Sequence, residues 1–521
     1  MRAHIGLRRE LVTLVTVLLL LACTPMSAAP EATPSSPPLP TSTPFSPRTA
    51  TPLPEFWIAH TAIPATLTPS PTATLLATAT ASPTSPVVDS TSVLPTATPS
   101  PGIPRPHYRL VAQLDAQRPH LDVEATITYP NMTSQVLSSL VLVVEPNRWP
   151  DCFTLRELTA QGAALQYRLQ AHRLEVFLSQ PLQPGEVLSL SLRFSLDLPP
   201  KRKADVFGYT SWQQNYVNWF PFMAPYRQGW VVHDPWSFGE HLVYDAADFD
   251  VSLKVPEGMT IAAPAPAVEE NGWQHYVLFQ ARTFAFSVSS FYQVSELQAG
   301  NVPLRSYFFA QERQAAEHLL LQAMRALTLY SDHLAPYPYP ALSIVESDVP
   351  DGAEFDGLVF LSQRFYQEFV EGNRNNLVAV GIHEIAHQWW FGMVGNDAAI
   401  EPWLDEALAL YTEGLFYEWA ENDANWWWDF RVNAFAPHGY INVSIYENAD
   451  FRAYVDAVYL RGAQFLRDVR TRMGDAAFFA FLQDYAHQMQ GQIARREDFF
   501  RILSEHTAQR FDDLKAEYFR P

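Results

Sequence analysis

Apolar and polar residues alternate strictly in Leu121-Asp122-Val123-Glu124-Ala125-Thr126-Ile127-Thr128-Tyr129 and again in Leu188-Ser189-Leu190-Ser191-Leu192-Arg193-Phe194. A period of two is that of strands with one buried face. Similar segments at 249–255 and 284–292 are separated by Pro-Gly and Glu-Gly turn signals, which predicts an all-β domain over 107–300. The period then changes. Over 311–334 apolar residues recur at helical spacing (Ala316, Leu320, Met324, Leu327, Leu334), which predicts a long amphipathic helix. Pro336, Pro338 and Pro340 break the chain ahead of two strand-like pieces, 341–347 and 357–361, and the remainder reads as helical. The expected fold class is therefore α+β multidomain: an amino-terminal β-sheet domain followed by a mainly helical domain over 301–521.

The first 106 residues carry neither period. Arg2, Arg8 and Arg9 precede an apolar run over 11–21, the charged region and core of a secretory signal, too short for a comfortable spanning helix. Leu20-Leu21-Ala22-Cys23 resembles the bacterial lipobox, which implies cleavage before Cys23 and a lipid anchor there. An ordinary signal cleaved near Ala28 or Ala29 is the alternative. Residues 1–23 are thus expected to be a leader with a lipobox, and the chain extracytoplasmic, held at a bacterial membrane through Cys23 or secreted. Residues 24–106, rich in Pro, Thr, Ser and Ala, cannot build a core and are expected to form a disordered tether. As a coil it would span on the order of 50 Å, and as polyproline structure roughly 250 Å. With Cys23 lipidated, Cys152 has no disulfide partner and is expected to be a buried small hydrophobe. A net charge of -20 with no basic run excludes nucleic acid as a partner.

Chemistry concentrates in His383-Glu384-Ile385-Ala386-His387, inside a predicted helix over 376–391 that Gly392 would terminate. Two histidines four residues apart share a helical face and can both reach one Zn²⁺, while the glutamate between them stands beside a metal-bound water as general base. A catalytic zinc needs a third protein ligand and one open position. Glu406 fits that need, in a second helix starting near Pro402 after a loop long enough to fold back. The metal set expected is His383, His387 and Glu406, with one zinc per chain.

With eighteen residues between His387 and Glu406, the pattern resembles the aminopeptidase-N family of gluzincin metallopeptidases. Asp351-Gly352-Ala353-Glu354-Phe355-Asp356-Gly357 is similar to that family's exopeptidase motif, and Val458-Tyr459-Leu460-Arg461-Gly462-Ala463 to its Val-Tyr-Glu-Lys-Gly-Ala. The resemblance covers about 301–482 and, more loosely, the β domain. It implies a saddle-like β domain ahead of a thermolysin-like zinc catalytic domain, peptide substrates, and a zinc metallopeptidase that removes amino-terminal residues. Glu354, with Gly352 and Ala353 beside it, would bind the substrate's free α-amine, and Tyr459 would donate to the tetrahedral oxyanion. Glu413, two turns beyond Glu406, would orient a ligand imidazole or be an exposed helix residue.

Departures set further expectations. Ala353 replaces the family's Met and Ala407 its Gly, which would reshape the first specificity pocket. The amine-binding Gln or Glu that the family takes from its β domain has only Gln213 and Gln214 as faint candidates. The segment 301–521 leaves no room for the large closing helical domain of many members. A zinc endopeptidase with a more open cleft therefore stands as an alternative, and a catalytically silent, zinc-stabilised surface binding module as another. The clusters Trp389-Trp390 and Trp426-Trp427-Trp428 are expected to pack rather than to stack on sugars.

Overall fold

The computed structural model describes residues 104–202, 205–448 and 450–521. The expected leader with Cys23, and the expected tether up to residue 103, lie outside the described residues.

The alternating segments form strands. His120–Pro130 pairs antiparallel with Val187–Asp197, from His120 opposite Asp197 to Pro130 opposite Val187. Leu121, Val123, Ala125 and Ile127 point into the core, whereas Asp122 and Glu124 face solvent. A slip of one residue would reverse both faces, so the apolar pattern fixes the register. These two strands lie within an eight-stranded sheet, and two four-stranded sheets complete the β domain. Cys152 is buried in its core as a free thiol pushed up to about 12, first by burial and then by the Asp197 carboxylate. It is the inert small hydrophobe that was expected.

A separate, five-stranded sheet carries the catalytic half. Its order is Gln293–Ala299, Val302–Phe308, Leu342–Ser347, Leu358–Ser362, Gly352–Phe355. The inner junctions are parallel and the two outer ones antiparallel. Every residue of Leu342–Ser347 and of Leu358–Ser362 is buried. The sheet lies between helices and the β domain, and parallel strands covered on both faces read as continuous apolar runs. The long helix Arg313–His333 packs on the first two strands and on the helix Asn376–Ala386. Val345, Leu358 and Phe360 belong to the same apolar cluster as Trp219, Phe249 and Phe284 of the β domain.

Two sequence expectations change here. Strand Gln293–Ala299 was assigned to the β domain over 107–300, but it forms a hairpin with Val302–Phe308. The domain boundary therefore falls ahead of Gln293, because alternation identifies a strand without saying which sheet it joins. The edge strand Gly352–Phe355 was not anticipated as a strand; four residues are too few to show a period.

Candidate active site

Helix Asn376–Ala386 starts at Asn375, whose side chain accepts from the Val378 N–H at 3.0 Å and caps one of the otherwise unpaired helix donors. The helix ends at Ala386 rather than running to 391, and His387 sits at its C-cap with helical backbone angles. Both histidines therefore keep the four-residue spacing that puts them on one face. Gly381 brings this helix against Leu319 of the long helix, whose Cδ1 lies 2.6 Å from where a β-carbon would stand. Helix Trp403–Trp419 crosses the same region and delivers Glu406.

The Nε2 atoms of His383 and His387 are 3.1 Å apart, and Glu406 Oε2 lies 3.5 Å from the first and 3.4 Å from the second. A tetrahedral zinc with ligands at about 2.0 to 2.1 Å requires donor atoms roughly 3.3 to 3.4 Å apart, so the triangle has the right edge. Glu406 Oε2 is buried and has no hydrogen-bond partner. His387 Nδ1 lies 2.9 Å from the Trp390 carbonyl, to which it donates, leaving the Nε2 lone pair facing the centre of the triangle. Two imidazole nitrogens and one carboxylate oxygen make a donor set suited to a catalytic zinc. Burial opposes ionisation of Glu406, but the two facing imidazoles outweigh it and hold this carboxyl down to about 2.

Glu413 is fully buried, which removes the reading of it as an exposed helix residue. Its Oε2 faces His383 Nδ1 at 3.6 Å. It accepts from Arg431 Nε and Nη2, both at 2.6 Å, and from Trp427 Nε1 at 2.8 Å. Gly414 makes room for the Trp427 ring, which approaches to 2.8 Å of the position a β-carbon would take. Trp389, Trp390 and Trp427 are buried, and their N–H groups donate to Ala335 O, Thr412 Oγ1 and Glu413. They are packing and positioning residues, as expected.

Glu384 is buried, with Oε2 unpartnered. Burial, and then the facing Glu354 carboxylate, push it up to about 8, a range in which a carboxyl exchanges its proton near neutral pH. Glu354, on the edge strand, places Oε1 at 3.9 Å from His387 Nδ1, and burial raises its pKa. Glu354, Glu384 and His387 form a second set of convergent donors beside the zinc triangle. Gly352 passes so close to Glu384 that a β-carbon there would lie 2.1 Å from Oε1. Ala353 packs against the β-domain cluster. Gln388, one residue past the second histidine, donates to Phe355 O at 3.1 Å and accepts from Gly357 N–H at 2.8 Å, pinning the motif strand to the metal-binding segment.

Tyr459 belongs to a π-helical turn, Asp456–Leu460, between helices Phe451–Val455 and Arg461–Met473. Such turns re-aim a side chain by inserting one residue into a helix. Its hydroxyl donates to Glu406 Oε1, and its ring stacks over His383 with centroids 6.2 Å apart. Burial, and then the Glu406 carboxylate, keep it a phenol well above the ordinary range. Gly462 faces Ala407 across the helix crossing, where a β-carbon would meet the Ala407 methyl at 2.3 Å. The expectation that Ala407 reshapes a specificity pocket is thus corrected: its methyl fills the contact between two helices.

Sequence reasoning missed Glu240. This partly exposed β-domain residue is raised well above the carboxylate range, first by burial and then by the charges of Glu354, Asp405 and Glu406. Its loop is anchored by His233 Nε2 on Asp397 at 2.9 Å, and by Gly239, which abuts Ile445 and Tyr454. Gln213 is engaged elsewhere, donating to Asn215 at 3.1 Å and Tyr292 at 2.7 Å, while Gln214 accepts from Tyr216 at 2.8 Å. Glu240 stands at no fixed spacing from the zinc motif, and only Gly239, needed for close approach, hinted at it.

Fold and site together bring two histidines and a glutamate from two packed helices to one buried point that could hold a metal ion. Residues 320–518 match the Peptidase family M1 domain. That match falls within the catalytic half of the chain. The chain is 26% identical over 299 residues to Aminopeptidase M1-B of Oryza sativa subsp. japonica, covering 51% of this chain and 33% of that protein. It is 25% identical over 300 residues to Aminopeptidase N of Streptomyces lividans, covering 52% and 34%. The chain thus spans about a third of the length of the curated relatives it matches. The M1 zinc metallopeptidase of Deinococcus radiodurans superposes with a TM-score of 0.56 at 22% identity, covering 77% of this chain and 89% of that one.

Proposed function

We propose that this chain is a zinc metallopeptidase that removes residues from the amino terminus of peptides. The observation that carries the exopeptidase reading is Glu354. It is a buried carboxylate that neither the zinc triangle nor general-base chemistry needs, held at the end of the site on an edge strand. A carboxylate there pairs with an ammonium group and sets the register of an extended peptide added to the strand. Glu240, whose pKa the charges of Glu354 and Glu406 help to raise, would serve as the second acidic group toward that ammonium.

His383, His387 and Glu406 hold the zinc, and Glu413 orients His383. A bound zinc supplies Lewis-acid polarisation and an acidified water. Glu384 accepts the proton of the attacking water and returns it to the departing amine. Tyr459 turns its hydroxyl from Glu406 to the scissile carbonyl oxygen as negative charge builds there. The domain is extracytoplasmic and lipid-anchored through Cys23, a reading supported by Arg2, Arg8, Arg9, the apolar run and Leu20-Leu21-Ala22-Cys23.

The test is hydrolysis of a short peptide with a free or an acetylated amino terminus, with and without a chelator. Cleavage of the free peptide alone, abolished by the chelator, is expected. Equal cleavage of both forms would replace this reading by an endopeptidase. For the anchor, Cys23→Ser is expected to move the protein from the membrane to the soluble fraction.

A further inference from the structure

Glu354 reads a substrate amine only if its strand stands at a fixed distance from the metal-binding segment. Asp356, two residues beyond Glu354, is fully buried and accepts four hydrogen bonds. Its Oδ2 takes the Arg282 N–H at 3.0 Å, the Thr283 N–H at 2.7 Å and the Thr283 hydroxyl at 2.6 Å; its Oδ1 takes the Tyr339 hydroxyl. In return, the Asp356 N–H donates to Thr283 Oγ1 at 3.1 Å. Arg282 and Thr283 belong to the β domain, so the motif strand is bolted to it.

The other end of the bolt reaches the zinc motif. The Arg282 guanidinium is buried and donates from Nε to Phe391 O at 2.7 Å and Gly392 O at 3.0 Å, from Nη1 to Tyr244 O at 2.9 Å, and from Nη2 to Gln492 O at 2.7 Å. Phe391 and Gly392 lie only four and five residues past His387, and a cation satisfies the carbonyls left open there. Two glycines leave room for this arrangement. A β-carbon on Gly395 would fall 2.4 Å from the guanidinium carbon, and one on Gly392 would fall 2.5 Å from the Tyr339 hydroxyl and 3.1 Å from Asp356 Oδ1. Gly392, expected to end a helix, instead clears space for Asp356 and Tyr339.

We infer that Arg282, Thr283 and Asp356 are positioning residues of the active site, through which the β domain sets the distance between Glu354 and the zinc-binding histidines. The inference rests on the aminopeptidase reading and deepens it: the β domain takes part in amine recognition even through residues that touch no substrate. A buried acceptor with four donors has one orientation, so loosening it frees the strand before it unfolds the protein.

The experiment compares wild type, Asp356→Asn, Thr283→Val and Thr283→Ser. It reads kcat and KM on free and N-acetylated forms of one peptide, zinc content, and the thermal midpoint. Thr283→Val is nearly isosteric, and Thr283→Ser keeps the hydroxyl. Expected for Asp356→Asn and Thr283→Val are a KM for the free peptide about tenfold higher, kcat within about threefold, one zinc per chain, and a free-to-acetylated preference lowered about tenfold. Thr283→Ser is expected to match wild type. Wild-type KM and preference in both variants would overturn the inference. So would a fall in kcat and thermal midpoint with the preference untouched, since that is a merely structural role. A wild type indifferent to acetylation overturns the aminopeptidase reading and the inference together, whereas a discriminating wild type with unaltered variants overturns the inference alone.

Discussion

Gly352 and Glu384 show how tightly single residues are coupled in this site. A methyl group on Gly352 would occupy the space of the Glu384 carboxylate, so Gly352→Ala must displace the base or the strand that carries Glu354. A displacement of about 1 Å at a reacting group costs on the order of 10²-fold. The expected outcome is that loss in kcat/KM with zinc content unchanged, measured by steady-state kinetics and metal analysis. Glu384→Gln removes the proton acceptor and keeps the shape. Turnover should fall on the order of 10² to 10⁴-fold while zinc remains bound, the usual worth of a positioned acid/base. Near-wild-type turnover in a fully metallated variant would remove Glu384 from its role. At this scale the sequence was most informative where chemistry imposes spacing. His383, Glu384 and His387 announce themselves by the helical repeat and Glu406 by the need for a third ligand on a following helix, and the structure brings the ligands together. Glu240 and Asp356 do not, because their contacts join segments far apart in the chain and obey no period.

Elements place these residues by close approach as much as by propensity. Helix Arg461–Met473 can lie against helix Trp403–Trp419 only because Gly462 has no side chain where the Ala407 methyl sits. Gly462→Ala should destabilise the domain by about 1 to 3 kcal/mol through overpacking. It should also disturb activity, since the π turn that holds Tyr459 runs directly into the same helix. A lowered thermal midpoint with the free-peptide kcat reduced is the expected pair of readings; an unchanged midpoint would mean that the crossing relaxes freely. Long elements were legible: the helix expected over 311–334 is Arg313–His333, and the strands expected at 341–347 and 357–361 are Leu342–Ser347 and Leu358–Ser362. The π turn and the four-residue edge strand were not. Each is defined by what it packs against and is shorter than any period that could reveal it.

Across the whole molecule, the β domain and the catalytic sheet meet along a seam of buried polar groups, where a pH dependence of stability originates. Gln213 donates to the Glu346 carbonyl at 3.3 Å and Asn215 to Ser347 Oγ at 2.9 Å. The Glu346 carboxyl accepts from the Phe309 N–H at 2.9 Å and from Gln363 Nε2 at 3.0 Å. Burial pushes Glu346 up from 4.5 to about 7, against the lowering by those two donors. The folded protein therefore holds this proton more tightly than the unfolded chain. Its contribution is fully present below the unfolded value near 4.5 and is lost as pH rises through about 7. The loss is on the order of 3 kcal/mol at most, from 1.36 kcal/mol per unit of pKa. Glu346→Gln removes the titration, and Gln363 can turn its amide to accept from the new one. Thermal midpoints of wild type and Glu346→Gln should therefore be close at pH 5 and separate at pH 8.5, with the variant the more stable. Parallel curves across that range would mean that Glu346 is already ionised and solvated at the seam. Interdomain seams of this kind leave little trace in a single sequence, since Gln213 and Asn215 lie more than 130 positions from the strand they hold. That separation is why Gln213 first stood as a faint candidate for amine binding, and why its place in the seam emerged only from the fold.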